Sequence, residues 1–265
     1  MWLLSTDRAE LHFFATPQDV PDGYAILSHV WDMDGPEQSF QDTELLAAKY
    51  SGPTDSPRKH ASRKVRECCK LAQKHGFSWL WIDTWCIDKR SSAELSEAIN
   101  SMFRYYQLAR ICYVYLFDME VPPIPSPAME SAFVTRHPSE RNITSDPSLT
   151  IMFSNSKWHK RGWTLQELLA SKFVAFFSRD WQLLGSKSDL SSLLEAITRI
   201  PQPVLTLQTP LSSVSISGRM QWAAERKTTR PEDEAYCLLG IFDITMPLLY
   251  GEGGRRRSCG YRRRL

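Results

Sequence analysis

The sequence predicts an α/β fold in which a mostly parallel sheet is flanked by helices, with a long insertion and additional C-terminal helices. Two observations lead to this prediction. Short apolar runs typical of buried strands alternate with stretches of helical periodicity, and such alternation favours parallel strands joined by right-handed crossovers. The chain has 265 residues, of which 42% are hydrophobic and 23% are charged, as is typical of a globular protein with a sizeable core.

The first three predicted elements are a strand, a helix and a second strand. Residues 24–28 (YAILS) form an apolar run after the turn-forming PDG, as expected of a buried strand. Apolar residues recur at helical spacing over 62–76, where Gly76 ends the helix. The second strand covers 79–83 (WLWID), so the polar residues after both strands should meet at one edge of the sheet.

Residues 92–117 continue the alternation of helices and strands, and residues 119–150 interrupt it. A helix is predicted over 92–109, capped by Ser92, and a third strand over 111–117, which is rich in β-forming residues. Residues 119–150 contain six prolines and no sustained periodicity. This composition indicates a long surface insertion.

After the insertion the sequence predicts a short amphipathic helix over 163–171 and a fourth strand over 173–177. Helices over 189–200, 213–226 and 232–242 follow, and the last two are the additional C-terminal helices. Acidic residues in the first turn of the last helix interact favourably with the helix dipole.

Charge is concentrated at the end of the chain, where six arginines lie in the last eleven residues of a chain with a formal net charge of +2. We therefore predict one domain over 1–253, with its sheet core at about 20–200 and its helical part at about 210–250, and a disordered Arg-rich tail over 254–265. Such a tail could contact nucleic acid or an anionic membrane, but a solvated tail is the simpler interpretation and no nucleic-acid partner is expected.

Composition and motifs also restrict the cellular compartment of the protein and the types of reaction it could catalyse. The six cysteines form no CxxC pair and no zinc-finger spacing with histidine, so we expect reduced core residues of a cytoplasmic protein without a metal site. No apolar stretch approaches the roughly 18 to 20 residues that a membrane span requires. The signatures of nucleotide hydrolysis, hydride transfer, serine hydrolysis and zinc proteolysis are absent from the sequence.

Three sequence blocks resemble those that define the fungal heterokaryon incompatibility (HET) domain. They are YAILSHVW (24–31), WLWIDTWCIDK (79–89) and RGWTLQEL (161–168). The family's flanking segments have counterparts at MWLLST (1–6), TTRPEDEAY (228–236) and MPLLYGE (246–252). This resemblance covers the chain to about residue 253 and implies a module that triggers regulated cell death in fungi.

The HET domain is in turn similar to the TIR domain, which has a flavodoxin-like sheet with helices on both faces. Enzymatic TIR domains cleave NAD at the nicotinamide-ribose bond with a glutamate in a motif close to WCLxEL. Here WTLQEL (163–168) has the same spacing, with Thr164 in place of the cysteine. The resemblance therefore implies an NAD glycohydrolase that uses NAD as substrate, needs no cofactor and has Glu167 as its catalytic carboxylate.

This chemistry requires little more than one carboxylate. Because the nicotinamide leaving group already carries a positive charge, bond cleavage needs little general acid, and a carboxylate near the sugar carbon can stabilise the oxocarbenium-like transition state. In open parallel sheets, ligands bind beyond the carboxyl ends of the strands. The polar and aromatic residues in the matching blocks are therefore candidates for substrate binding: Ser28, His29, Trp31, Asp83, Trp85, Asp88, Arg161 and Trp163.

Individual roles can be suggested for five of these residues. Trp31 and Trp85 could stack on a nicotinamide or adenine ring. Asp83 or Asp88 could hold ribose hydroxyls, and Arg161 could pair with a phosphate.

Each candidate also has a structural interpretation. Glu167 could be a solvated helix charge, His29 a hydrogen-bonded packing residue, Asp83 a helix cap and Arg161 the partner of an aspartate. Cys86 could form a nucleophile pair with His29 if the fold joined them. Two functions thus stay open: an enzyme activated when copies assemble into a homo-oligomer, or a non-enzymatic signalling module acting through homotypic oligomerisation and recruitment of partners. For both functions, a sensor of the NLR type is a candidate partner.

Overall fold

A computed structural model describes residues 1–31, 37–121 and 143–251. The predicted Arg-rich tail and most of the predicted insertion over 119–150 lie outside these ranges. The ends of the insertion are described: Met119 and Ile143 are both fully buried, so the chain enters and leaves this region within the core.

The described residues form one seven-stranded mixed sheet, which confirms the predicted α/β class. Its strands are β1 (Trp2–Ser5), β2 (Leu11–Phe13), β3 (Ala25–His29), β4 (Trp79–Trp81), β5 (Ile111–Tyr115), β6 (Val174–Phe177) and β7 (Leu183–Ser186). Their order is β2-β1-β4-β3-β5-β6-β7. The four central strands run parallel, whereas β1, β2 and β7 are antiparallel additions at the two edges.

The order of the parallel strands determines where a ligand is expected. The chain runs from β3 outward to β4 and then returns across β3 to β5, so the direction of winding reverses at β3. Doubly wound sheets bind ligands at such a reversal, beyond the carboxyl ends of the strands. Ser28 and His29 are the last two residues of β3 and pair in register with Val114 and Tyr115 of β5.

Eleven α-helices surround the sheet in the described ranges. They are α1 (Phe40–Lys49), α2 (Pro57–His60), α3 (Arg63–Lys74), α4 (Asp83–Cys86), α5 (Ser92–Leu108), α6 (Pro147–Asn155), α7 (Thr164–Ala170), α8 (Ser191–Thr198), α9 (Gln202–Leu205), α10 (Ile216–Ala223) and α11 (Asp233–Tyr236). The helices predicted from periodicity are confirmed as α3, α5, α7, α8 and α10, with shorter ends. The predicted helix over 232–242 is regular only in α11 and continues as turns.

Three local predictions are wrong in detail. The strand predicted over 79–83 ends at Trp81, because the amides of Trp85 and Cys86 donate to the carbonyl of Ile82 at 3.1 and 2.8 Å and begin α4. Helix α5 is capped by Ser91 and not by Ser92, since the Ser91 hydroxyl accepts from the Glu94 amide at 3.3 Å. Helix α7 is not amphipathic, because it packs against β3, α5 and α9 and all seven of its residues are buried.

The core lies on both faces of the sheet. All five residues of β3 are buried, as expected of a parallel strand covered by helices on each side. The five cysteines in the described ranges are free thiols and are buried, as predicted, while Cys259 lies outside. Among the helices of the described ranges, none has both the length and the apolar character that crossing a bilayer requires.

Candidate active site

Glu167 projects from α7 toward the carboxyl end of β3. The Ser28 hydroxyl donates a hydrogen bond to Glu167 Oε2, and Trp158 Nε1 donates to Ser28 Oγ at 2.7 Å. Tyr106, whose hydroxyl donates to the carbonyl of Leu27 at 3.1 Å, lies beside the same carboxyl group. Only 7% of Glu167 is exposed, so it is held by a buried hydrogen-bond network and is not a solvated surface charge.

The protonation state of Glu167 follows from this burial. Burial raises the pKa of Glu167 to about 8, and the negative charge of Asp83 adds to the increase. The hydrogen bond from Ser28 and the charge of Arg161 act in the opposite direction but are weaker. The carboxyl group is therefore largely protonated at neutral pH in the ligand-free protein and ionises just above it.

A second cluster lies next to this network and contains His29, Trp31 and Asp83. Trp31 Nε1 donates to Asp83 Oδ2 at 2.8 Å. Burial alone would raise the pKa of Asp83, but His29, Lys89 and the Trp31 hydrogen bond together bring it below its usual value. Asp83 is thus an anion that links the end of β3 to the start of α4, so the candidate residues after β3 and β4 do meet at one edge.

His29 differs from the hydrogen-bonded packing residue that one interpretation of the sequence suggested. The ring is buried, and its nitrogens lie 3.7 Å from Asp83 Oδ1 and 3.8 Å from Glu37 Oε1. Both distances exceed hydrogen-bond length, so neither nitrogen has a hydrogen-bond partner within the described part of the chain. Burial lowers the pKa of His29 to about 4, so the imidazole is neutral at pH 7.

Positive charge lies at the outer side of the site, around Trp31. Lys89 Nζ lies 3.9 Å from the centre of the Trp31 ring, and the Arg161 guanidinium lies 5.7 Å from the same point. Arg161 Nη1 donates to Thr229 Oγ1 at 2.6 Å. The alternative in which Arg161 forms a salt bridge with an aspartate is not found among the described residues.

Three of the substrate-binding residues predicted from the sequence do not belong to the hydrogen-bond network of Glu167. Trp85 is fully buried, so its ring is not exposed for stacking on a ligand in this structure, and that role stays a prediction. The Asp88 carboxylate accepts from Gln41 Nε2 at 2.7 Å and from the Arg90 amide at 3.0 Å, away from Glu167. Trp163 Nε1 donates to Asp233 Oδ2 at 3.2 Å, and its ring is half-buried.

Access to Glu167 is restricted in this conformation. A cavity of about 260 Å³ lies elsewhere, between the N-terminal strands and α5, and includes Trp2, Phe13 and Glu94 among its lining residues. Glu167 is not among them, and Trp158 next to it is also buried. A substrate can reach the carboxyl group only if the protein around it moves.

Sequence reasoning missed the residues that complete the network. Trp158 has 1% exposure, as expected of a large core aromatic, but its hydrogen bond to Ser28 spans 130 positions of the chain and has no local signal. Tyr106 lies on the buried face of α5, where its sequence position indicates packing and not a polar role. Lys89 closes the second matching block and was not singled out.

A family model described as heterokaryon incompatibility protein (HET) matches residues 24–167, which is more than half of the chain. The chain belongs to the HET family. The matched range begins one residue before β3 and ends at Glu167, so it includes Ser28, Trp158 and Glu167. The family region and the buried hydrogen-bond network therefore coincide.

The vegetative incompatibility protein HET-E-1 of Podospora anserina is similar to this HET-family chain, with 42% identity over 240 residues. The alignment covers 89% of the chain but only 16% of that relative, so the chain corresponds to a small part of a much longer protein. No solved structure matches the chain. The similarity to TIR domains stays a prediction.

Proposed function

We propose that this chain is a fungal heterokaryon-incompatibility module that triggers regulated cell death by cleaving NAD at the nicotinamide-ribose bond. The observation that carries the proposal is the position of Glu167, which meets Ser28 at the carboxyl end of the central strand β3 and lies within electrostatic range of Asp83. Family membership and the similarity to HET-E-1 support the incompatibility role. They do not bear on the chemistry, which rests on the geometry and on the motif.

In the proposed reaction the bond between the anomeric carbon and the nicotinamide nitrogen breaks, and its electron pair neutralises the charged ring. The ribose is left as an oxocarbenium-like species, which the ionised Glu167 carboxylate stabilises. Water then adds to the anomeric carbon and loses a proton, giving ADP-ribose and nicotinamide. The bound nicotinamide cation itself favours the ionised form of Glu167, because an adjacent opposite charge lowers a carboxyl pKa.

The burial of Glu167 gives assembly a role in this proposal. At 7% exposure the carboxyl group is not accessible to a substrate in the conformation described. We propose that association of several copies in the cytoplasm, promoted by a sensor protein of the NLR type, shifts the protein to a conformation in which Glu167 is open. Differential binding between two conformations is sufficient for such activation.

One observation favours a second candidate function. A buried carboxyl group that joins α7 to β3 through Ser28 and Trp158 could serve structure alone. The protein would then act as a non-enzymatic signalling module that kills through homotypic oligomerisation and recruitment of partners. In that case substitution of Glu167 would affect stability and not chemistry.

Release of nicotinamide from NAD by concentrated purified protein tests the proposal. We expect wild type to release nicotinamide and Glu167→Gln, which keeps the size of the side chain and an acceptor for Ser28, to lose at least about 99% of the rate, since it removes the stabilising charge. Glu225→Gln is the matched control, because Glu225 is 81% exposed and lies on the surface. Activity of Glu167→Gln equal to that of the control would exclude Glu167 as the catalytic residue.

A further inference from the structure

The outer side of the candidate site carries three cations and two aromatic rings. Lys89 and Arg161 both lie against the Trp31 ring, at 3.9 and 5.7 Å from its centre. Arg230 lies 4.8 Å from the centre of the Tyr250 ring. We use the name cationic rim for these five residues.

Hydrogen bonds tie the two ends of the cationic rim together. Arg161 Nη1 donates to Thr229, the residue before Arg230. Asp233 accepts from Trp163 Nε1 at 3.2 Å through one oxygen and from the Tyr250 hydroxyl at 3.0 Å through the other. The rim is therefore built from all three matching blocks and from the C-terminal part, which are far apart in sequence.

Carboxylates lie within electrostatic range of the rim, since Asp83 and Glu37 act on Lys89 and Asp233 acts on both arginines, but among the described residues none forms a close ion pair with these cations. Within residues 1–31, 37–121 and 143–251, neither Lys89, Arg161 nor Arg230 forms an ion pair, although exposed cations elsewhere do, as in the pair of Arg63 with Asp180. Burial lowers the pKa of Lys89, the carboxylates of Asp83 and Glu37 act to raise it, and the positive charges of Arg230 and Arg161 lower it by a smaller amount. Lys89 thus lies within electrostatic range of both arginines, and three neighbouring cations without close ion pairs can bind a multiply charged anion.

The position of the cationic rim relative to Glu167 indicates which anion the rim binds. Arg161 acts electrostatically on Glu167 and also belongs to the rim, so the rim lies within electrostatic range of Glu167. In NAD the scissile bond and the diphosphate are attached to the same ribose, at its first and fifth carbons. A dinucleotide with its anomeric carbon at Glu167 would therefore place its diphosphate within reach of the adjacent rim.

We propose that the cationic rim, formed by Trp31, Lys89, Arg161, Arg230 and Tyr250, binds the diphosphate of a dinucleotide substrate. This inference rests on the proposed function, because it assumes that the substrate is NAD. It adds the substrate class that the site selects: nucleotides with a diphosphate, in preference to nucleosides. Lys89 and Arg230 are binding residues in this proposal and not catalytic ones.

Calorimetric titration of ADP and adenosine into the full chain tests this proposal without any turnover. With Glu167→Gln as the parent protein, we expect ADP to bind more tightly than adenosine. Lys89→Gln and Arg230→Gln should each weaken ADP binding roughly tenfold, since each removes a charge-assisted contact, and should leave adenosine binding unchanged. Arg63→Gln, which removes an exposed cation outside the rim, is the control and should bind ADP like the parent.

The cationic rim is excluded as a diphosphate site if ADP binds no more tightly than adenosine, or if both rim variants bind ADP like the control. This failure is distinct from that of the proposed function. If nicotinamide release depends on Glu167 but ADP binds no more tightly than adenosine, only the proposed role of the rim is overturned. ADP binding that depends on Lys89 and Arg230, together with full cleavage by Glu167→Gln, would overturn only the role of Glu167.

Discussion

At the scale of the residue, Glu167 is controlled by two opposing effects. Burial disfavours its charge, and the hydrogen bond from Ser28 favours it. Burial dominates, and the pKa of about 8 follows. A group that ionises near the pH of the cell can be switched by a small change in its surroundings, such as the arrival of a cation.

The pH dependence of NAD cleavage follows from this pKa. If the ionised carboxylate is the active form, kcat/KM should rise with pH and level off above about 8, because this parameter reports ionisation in the free enzyme. Steady-state rates measured at constant ionic strength check the expectation. A kcat/KM that falls over the same range would show that the protonated form is the active one.

The same pKa makes a prediction about stability that needs no activity. The pKa of Glu167 is raised from 4.5 to about 8 on folding, so the folded protein holds this proton more tightly than the unfolded chain. The resulting stabilisation is complete below about 4.5 and is lost as the pH rises through about 8. The Tm of wild type relative to Glu167→Gln should therefore fall across this interval, and a difference in Tm independent of pH would contradict the raised pKa.

At the scale of the element, α7 is the helix that positions Glu167, and its first residue anchors it. Thr164 is fully buried, and its hydroxyl donates to the carbonyl of Trp158 at 2.6 Å. The same hydroxyl accepts from Arg226 Nη1 at 3.0 Å. Through these bonds the helix is held to the segment that carries Trp158, so the carboxyl group and the indole keep their relative positions.

Replacement of Thr164 tests this anchoring. Thr164→Val keeps the shape but removes the buried hydrogen bonds of this hydroxyl to the Trp158 carbonyl and the Arg226 guanidinium, which should cost roughly 1 to 3 kcal/mol of the free energy of unfolding. Thr164→Ser is the matched control, since it keeps the hydroxyl and loses one methyl group. Urea denaturation should rank the proteins as wild type, Thr164→Ser and Thr164→Val in order of decreasing stability. A valine variant as stable as the serine variant would show that the hydroxyl does not anchor the helix.

Elements also differ in how far the sequence could predict them. The parallel strands β3 and β5 and the helices α3 and α5 could be predicted because short apolar runs and helical periodicity are visible in the sequence. Strands β1, β2 and β7 were missed because each has only three or four residues and lies near an edge of the sheet. The sheet therefore begins at Trp2, ahead of the predicted start of the core near residue 20.

Within the site, Glu167 and Ser28 could be predicted because each lies in a block that matches the family. The burial of Trp85 could not be predicted from the sequence, because it depends on the early end of β4 at Trp81 and on the turn of α4 that follows. Which partner Trp158 would find was also unpredictable, because the direction of an indole nitrogen is set by packing between distant segments.

At the scale of the whole molecule, three features lie at the carboxyl end of the central strands. They are the sequence blocks of the family, the reversal of winding and the positive charges. The reversal of winding at β3, the buried Glu167 and the cationic rim lie together there, although they come from widely separated segments. Their common location supports a single substrate site over three unrelated features. The burial of Glu167 links that site to a change of conformation.

The most direct test is a parallel measurement of the NAD level and of viability in fungal cells that express the chain. Wild type and the Glu225→Gln control should lower NAD before the cells die, whereas Glu167→Gln, expressed at the same level, should do neither. Death of the wild-type cells with NAD unchanged, or killing by Glu167→Gln, would contradict NAD cleavage as the cause and favour a non-enzymatic module.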